Sequence, residues 1–144
     1  MTNYVAQVGG DHYKSAYAHW DLAIDIRWGY LDGSAAKYIS RWRKKGGVQD
    51  LRKALSYIDK LIGTLATEKQ QLPPAVANTL QLERFCDAHG FVKGSLERTA
   101  IIYLGSWAFR SDLEVARVAV VELIAENEVP TTDSNKHAKQ EEQC

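Results

Sequence analysis

The chain has 144 residues, 45% of them hydrophobic and 25% charged, with a formal net charge of zero. That length fits one domain able to bury a core without disulfides or metal, and a neutral chain has no global field toward nucleic acid or membrane, so attraction for a charged ligand must be local. Two cysteines, Cys86 and Cys144, form no disulfide framework or metal spacing, Met1 to Gly10 lacks the basic and apolar stretches of a leader, and no apolar run nears the ~20 residues of a membrane span.

Trp20, Ala23, Ile24 and Trp28 recur at helical steps and predict a short helix over residues 20 to 28, stopped by Gly29. Gly33 and Ser34 open a second helix, with Ser34 as N-cap, which runs to Lys45 and stops at Gly46 and Gly47. Asp50 is the expected N-cap of a longer helix, whose Leu51, Ala54, Leu55, Ile58, Leu61, Ile62 and Leu65 make one apolar stripe. Residues 67 to 78, with Pro73 and Pro74, read as a linker.

The second half answers the first at an offset of about sixty residues. Gly29 to Ser34 is echoed by Gly90 to Ser95, and Asp50, Leu51, Ala54, Leu61 and Ile62 are echoed by Asp112, Leu113, Ala116, Leu123 and Ile124. Matched amphipathic spacing also arises by chance, but matched glycines, serine and aspartate point to duplication. The expected fold is all-α: a helical bundle from two tandem copies of a helix pair, pseudo-twofold, with an N-terminal strap and a disordered C-terminal tail. Residues 1–66 form the first repeat with its strap, 67–78 the linker, 79–127 a degenerate second repeat packed on the first, and 128–144 the tail.

The copies differ in chemistry. The first carries Lys37, Arg41, Arg43, Lys44, Lys45, Arg52 and Lys53 where the second reads mostly Ile101, Ile102, Leu104, Trp107, Val115 and Val118. Residues 112 to 126 are apolar nearly all round, which predicts a homo-oligomer formed through the second repeat.

Lys37, Arg41 and Lys44 or Lys45 fall on one helix face, a basic ridge suited to successive phosphates, with Tyr38 or Trp42 beside it to stack a base. The same spacing fits a solvated face whose long stems cover apolar neighbours. Lys53, Tyr57 and Lys60 share the polar face of the next helix, where Asp50 reads as a cap before a catalyst. Gly9, Gly10, Asp11, His12, Tyr13 and Lys14 place flexible backbone, an imidazole and an amine ahead of any helix, fit either for phosphate contact and proton transfer or for an ordered strap with Tyr13 packed on the bundle. Asp21 and Asp25 could hold hydrated magnesium, although capping is the commoner use of Asp21. His19, His89 and His137 show no metal pattern, and no metal site is expected. GxxxxGK[ST], GxSxG and HExxH are absent, which excludes a P-loop kinase.

Together GGDHYK (Gly9 to Lys14), AAKYISRWRKKGG (Ala35 to Gly47) and DLRKALSYIDKLI (Asp50 to Ile62) resemble a family of small bacteriophage proteins, catalogued as an uncharacterised domain, that includes the nucleotide kinase of T7-like phages. The resemblance covers residues 9 to 62, with a departure at Trp20, where relatives commonly carry proline. It implies phosphoryl transfer from ATP or another nucleoside triphosphate to a nucleoside monophosphate in the host-cell cytoplasm, with Mg2+ compatible but not demanded by any motif. His12, Lys14 and Arg41 are then the expected catalytic residues, and Tyr13, Lys37, Tyr38, Lys45, Asp50, Lys53 and Tyr57 the expected nucleotide and phosphate contacts. The same groups suit a non-catalytic binder of nucleotides or nucleotide signals, or a nucleic-acid or host-protein module, although zero net charge weighs against extended duplex binding.

Overall fold

A computed structural model describes residues 17–65 and 76–128. Over these the chain is an all-helical bundle: α1 (His19–Ile26), α2 (Tyr30–Arg41), α3 (Gly47–Gly63), α4 (Val76–Ala88), α5 (Leu96–Ser106) and α6 (Arg110–Asn127). The strap motif, most of the linker and the tail beyond Glu128 lie outside the described residues. α4 starts at Val76, two residues before the expected end of the linker. Pro73 and Pro74 bar a helix that would run through them, not one that begins after them.

Helix boundaries shift for local reasons. α1 ends at Ile26 because Arg27 takes the left-handed conformation (φ 56°, ψ 52°), the terminating role expected of Gly29. Gly29 instead precedes the first residue of α2. Gly33, expected to open that helix, is buried inside it, where a Cβ would come to 3.2 Å from Cβ of Trp28. It is there for close approach, not for a turn. α2 stops at Arg41 rather than Lys45, and the chain turns through residues 42–46 until the Gly47 N–H bonds to the Trp42 carbonyl at 2.7 Å. Asp50 acts as a cap from within the first turn of α3, its carboxylate accepting the Gly46 N–H at 3.1 Å. Asp112 does the same for α6, accepting from the Ala108 and Phe109 amides at 2.9 and 3.0 Å.

The helices pack α2 on α3 and α5 on α6, with α3 also against α6, α2 against α5, α4 against α5 and α1 against α4. Arg52 pairs with Glu128 and Arg117 with Asp59, so α3 and α6 run in opposite directions. The α3 stripe is seated as predicted, with Leu51, Ala54 and Ile58 fully buried. Ile39, Leu82, Phe85, Ile101, Leu104 and Leu113 complete the centre, and each such side chain contributes roughly 1.5–3 kcal/mol.

Two indole bonds tie the halves together in both directions. Trp42 Nε1, just past α2, donates to Glu97 in α5 at 3.0 Å, and Trp107 Nε1, just past α5, donates to Asp32 in α2 at 3.1 Å. The two bonds are reciprocal in position, each running from an indole just past one helix to a carboxylate near the start of the other. The glycine blocks used to set the expected offset do not superpose in role. Ser95 is the N-cap of α5, accepting the Arg98 N–H at 3.2 Å, after Gly90 and Gly94 at φ +77° and +89°. Ser34, its expected counterpart, lies inside α2.

Candidate functional site

The first hairpin builds one basic, aromatic face. Because α2 starts at Tyr30, Tyr30, Lys37, Tyr38 and Arg41 fall on one side of it, and on α3 the i, i+4, i+7 spacing aligns Lys53, Tyr57 and Lys60. The two rows meet ring on ring. Tyr38 and Tyr57 lie 5.8 Å apart at 12°, and Tyr30 stands edge-on to Tyr57 at 5.9 Å and 78°. Around the Tyr38 ring the Arg41 guanidinium sits 4.8 Å, the Lys53 amine 5.4 Å and the Lys37 amine 5.9 Å from the centroid. A hydrogen bond with Tyr30 is the main cause that holds the Tyr57 phenol above its ordinary range. Tyr30 is 75% exposed, a large aromatic left in solvent beside half-buried partners.

Arg41 and Asp50 form a fixed unit. Arg41 Nε donates to one Asp50 oxygen at 2.9 Å and a terminal nitrogen donates to the other at 3.3 Å, with side chains 16% and 2% exposed. Gly46 supplies a backbone N–H to the same carboxylate. This fork locks the end of α2 to the start of α3. A charge reversal at Arg41 would set two carboxylates together below the surface and disrupt this junction whether or not a ligand binds there.

The expected ridge is shorter than its spacing suggests. Lys44 and Lys45 lie in the turn after α2, so they leave the pitch that aligns Lys37 with Arg41, and both are exposed. Trp42 cannot stack a base, being 5% exposed and bonded to Glu97. His12, Tyr13 and Lys14 lie outside the described residues. Lys37, Tyr38, Lys53 and Tyr57 are thus the expected site residues that the fold brings together, with Arg41 and Asp50 bracing them from beneath.

Asp21 accepts the Ala18 N–H at 3.1 Å and Asp25 accepts the Tyr17 hydroxyl at 2.5 Å, so both carboxylates are engaged in structure. Among the described residues no cluster of His, Cys, Asp and Glu suits a metal ion. His19 Nε2 donates to the Gly33 carbonyl at 2.8 Å, His89 Nε2 to the Tyr17 carbonyl at 3.0 Å, and the His89 ring lies 4.0 Å from that of Phe85. Burial pushes the His19 imidazole down to about 4 and lowers His89, so both are neutral clamps between α1, α2 and α4. Burial pushes the Cys86 thiol up to about 12, which makes it inert as a nucleophile at neutral pH.

Sequence reasoning missed Tyr30. Its signal was the spacing to Lys37 and Tyr38, seven and eight residues on, hidden by starting the helix at Ser34. It also missed Arg98, a side chain 6% exposed that bonds to Asp87 and to the Phe91 carbonyl at 2.8 Å each and pairs with Glu83.

Residues 11–59 match the model of a protein family, DUF3310, described as of unknown function. The match runs from the strap motif through α1 and α2 into α3 and includes Tyr30, Lys37, Tyr38, Arg41, Lys53 and Tyr57. No curated protein and no solved structure matches the chain. No described helix is long and apolar enough to cross a membrane.

Proposed function

We propose that the α2–α3 face binds a nucleotide, with Lys37 and Lys53 on its phosphates and Tyr30, Tyr38 and Tyr57 against its base, in a phage protein acting in the host-cell cytoplasm. The observation that carries this reading is the convergence of Arg41, Lys53 and Lys37 within 6 Å of a tyrosine that is itself stacked on a second. Amines close to an aromatic platform match the two chemically distinct ends of a nucleotide, its phosphates and its base. The placement is local, as a chain of zero net charge requires.

The activity we propose for this face is that of a nucleoside monophosphate kinase without a P-loop. A phosphate oxygen of the monophosphate attacks the terminal phosphorus of ATP, the bridging P–O bond breaks, and two diphosphates leave. Positioning and charge neutralisation by Lys37 and Lys53, together with Lys14, supply most of the rate, with His12 orienting the acceptor phosphate and Mg2+ carried in on ATP.

A second reading, a non-catalytic holder of nucleotides or nucleotide signals, is favoured by one observation. Arg41, the best transition-state clamp in the sequence, has its fork on Asp50. Incubation of the protein with ATP and each monophosphate, followed by chromatography of products, separates the two. The kinase reading predicts diphosphates from at least one pair. Saturable binding with no diphosphate would overturn it and leave the holder.

A further inference from the structure

We infer that the outer groove between α5 and α6 docks a basic amphipathic helix of a partner protein. The paired indole bonds set α2 against α5 at an offset of 65, and the capping aspartates Asp50 and Asp112 set α3 against α6 at 62. At those offsets Lys37, Lys53 and Tyr57 fall on Ile102, Val115 and Ala119. Val115 and Ala119, the counterparts of Lys53 and Tyr57, line an apolar groove of about 410 Å³ on the second hairpin. Leu96, Thr99, Val115 and Val118 line it together with Glu114 and Glu122.

Three features of the groove say what covers it. Val118 is 55% exposed and Val115 40% exposed, although neither valine helps an exposed helix position by propensity or by solvation. Glu114 and Glu122 make no ion pair among the described residues, whereas Arg117, on the same helix, pairs with Asp59. Glu114, Val118 and Glu122 follow i, i+4, i+8, so the carboxylates bracket the valine at roughly 12 Å from each other along the axis. The complement is a helix with an aliphatic face and Lys or Arg at positions seven or eight apart, the helix-in-groove mode of recognition. The lining holds two carboxylates and no cation, which rejects phosphate and nucleic acid. A twofold contact of α6 with α6 of a second copy, centred on Val118, would face Glu114 with Glu122, so the same charges disfavour the homo-oligomer expected from composition.

The probes are two synthetic four-turn amphipathic peptides with the same leucine face, one with lysine and one with glutamate at the two bracketing positions. Each is titrated into the full chain carrying labelled valine methyls. The lysine peptide is expected to shift Val115 and Val118 and to bind at least about tenfold tighter than the glutamate peptide, a preference that added salt reduces. In the E114K/E122K chain the preference inverts, and Val118→Asp, a surface change, removes binding of both. Equal affinities, shifts confined to other valines, or binding that survives Val118→Asp would overturn the inference. So would peptide-free samples whose Val118 methyls shift with protein concentration, since a second copy would then be the occupant.

Discussion

Replacing Arg41 separates bracing from ligand contact. Its guanidinium makes two bonds, 2.9 and 3.3 Å, to a carboxylate that is 2% exposed. Arg41→Ala removes both donors and leaves Asp50 charged, buried and held by the Gly46 amide. Breaking a buried pair from one side costs about 3–5 kcal/mol. Arg41 keeps 16% exposure, so water can reach the vacated space, and the low end, about 3 kcal/mol, is expected. Against a domain stability of about 5–15 kcal/mol that is a large share, and it lowers Tm by about 10 °C. Asp50→Asn keeps an oxygen for Gly46 and leaves the arginine where solvent can reach it, at a cost of about 1–2 kcal/mol. The double variant should recover about 2 kcal/mol relative to the sum, because the stranded charge is gone. Urea unfolding followed by circular dichroism and by tryptophan fluorescence gives all four corners of the cycle. A loss below about 1 kcal/mol for Arg41→Ala, or strict additivity, would refute the bracing role and return Arg41 to the ligand.

Acid should weaken the fold through its clamped histidines. The unfolded chain takes up a proton at His19 near its ordinary 6.5, whereas the folded chain resists until about 4. The stabilisation is therefore full above 6.5 and is lost as pH falls toward 4, on the order of 3 kcal/mol for His19 with a further loss of the same sign from His89. Urea midpoints measured from pH 7.5 to 4.5 should fall steadily, and more shallowly in His19→Gln; identical slopes would contradict the assignment. Gly105→Ala should destabilise although alanine favours helices, because its Cβ would overlap the buried Leu82 side chain between α4 and α5. Overpacking of about 1–3 kcal/mol outweighs a propensity gain of about 1 kcal/mol, and a raised Tm would show that α4 can move aside. Gly46→Ala should cost more, since its Cβ would collide with the Asp50 carboxylate, itself pinned by Arg41. Thermal melts rank the two.

The sequence made α3 and the class of fold legible, because Leu51, Ala54 and Ile58 repeat at the helical period and are all buried. The limits of α2 were not legible. Gly33 looks like a turn residue and is instead a point of contact with Trp28, while the Lys44, Lys45 and Gly46 run looks like a charged helix end and is a turn. Of the site, the lysines and tyrosines of α2 and α3 could be found from spacing alone. Tyr30 shares that spacing but was hidden, because the expected helix began at Ser34 and left it outside. Spacing was equally silent on which cations were already engaged. Arg41 and Lys37 read alike in sequence, yet only tertiary placement sets Asp50 against Arg41. The apolar length of α6 pointed to more apolar surface than one core takes, and Ala116, Val120 and Leu123 enter the core while Val115, Val118 and Val121 face out.

Lys37, Lys53 and the tyrosines between them are the proposed nucleotide site. Calorimetric titration of ATP into the intact chain and into Lys37→Ala, Lys53→Ala and Tyr57→Ala tests it most directly, with a urea melt of each variant alongside. Saturable binding by the intact chain is expected, weakened about tenfold by each lysine change and unchanged by Arg43→Ala, whose guanidinium lies over Trp42 instead. Both lysine variants should melt like the parent. Absence of binding by the intact chain, or equal affinity in the lysine variants, would rule out a nucleotide site on this face.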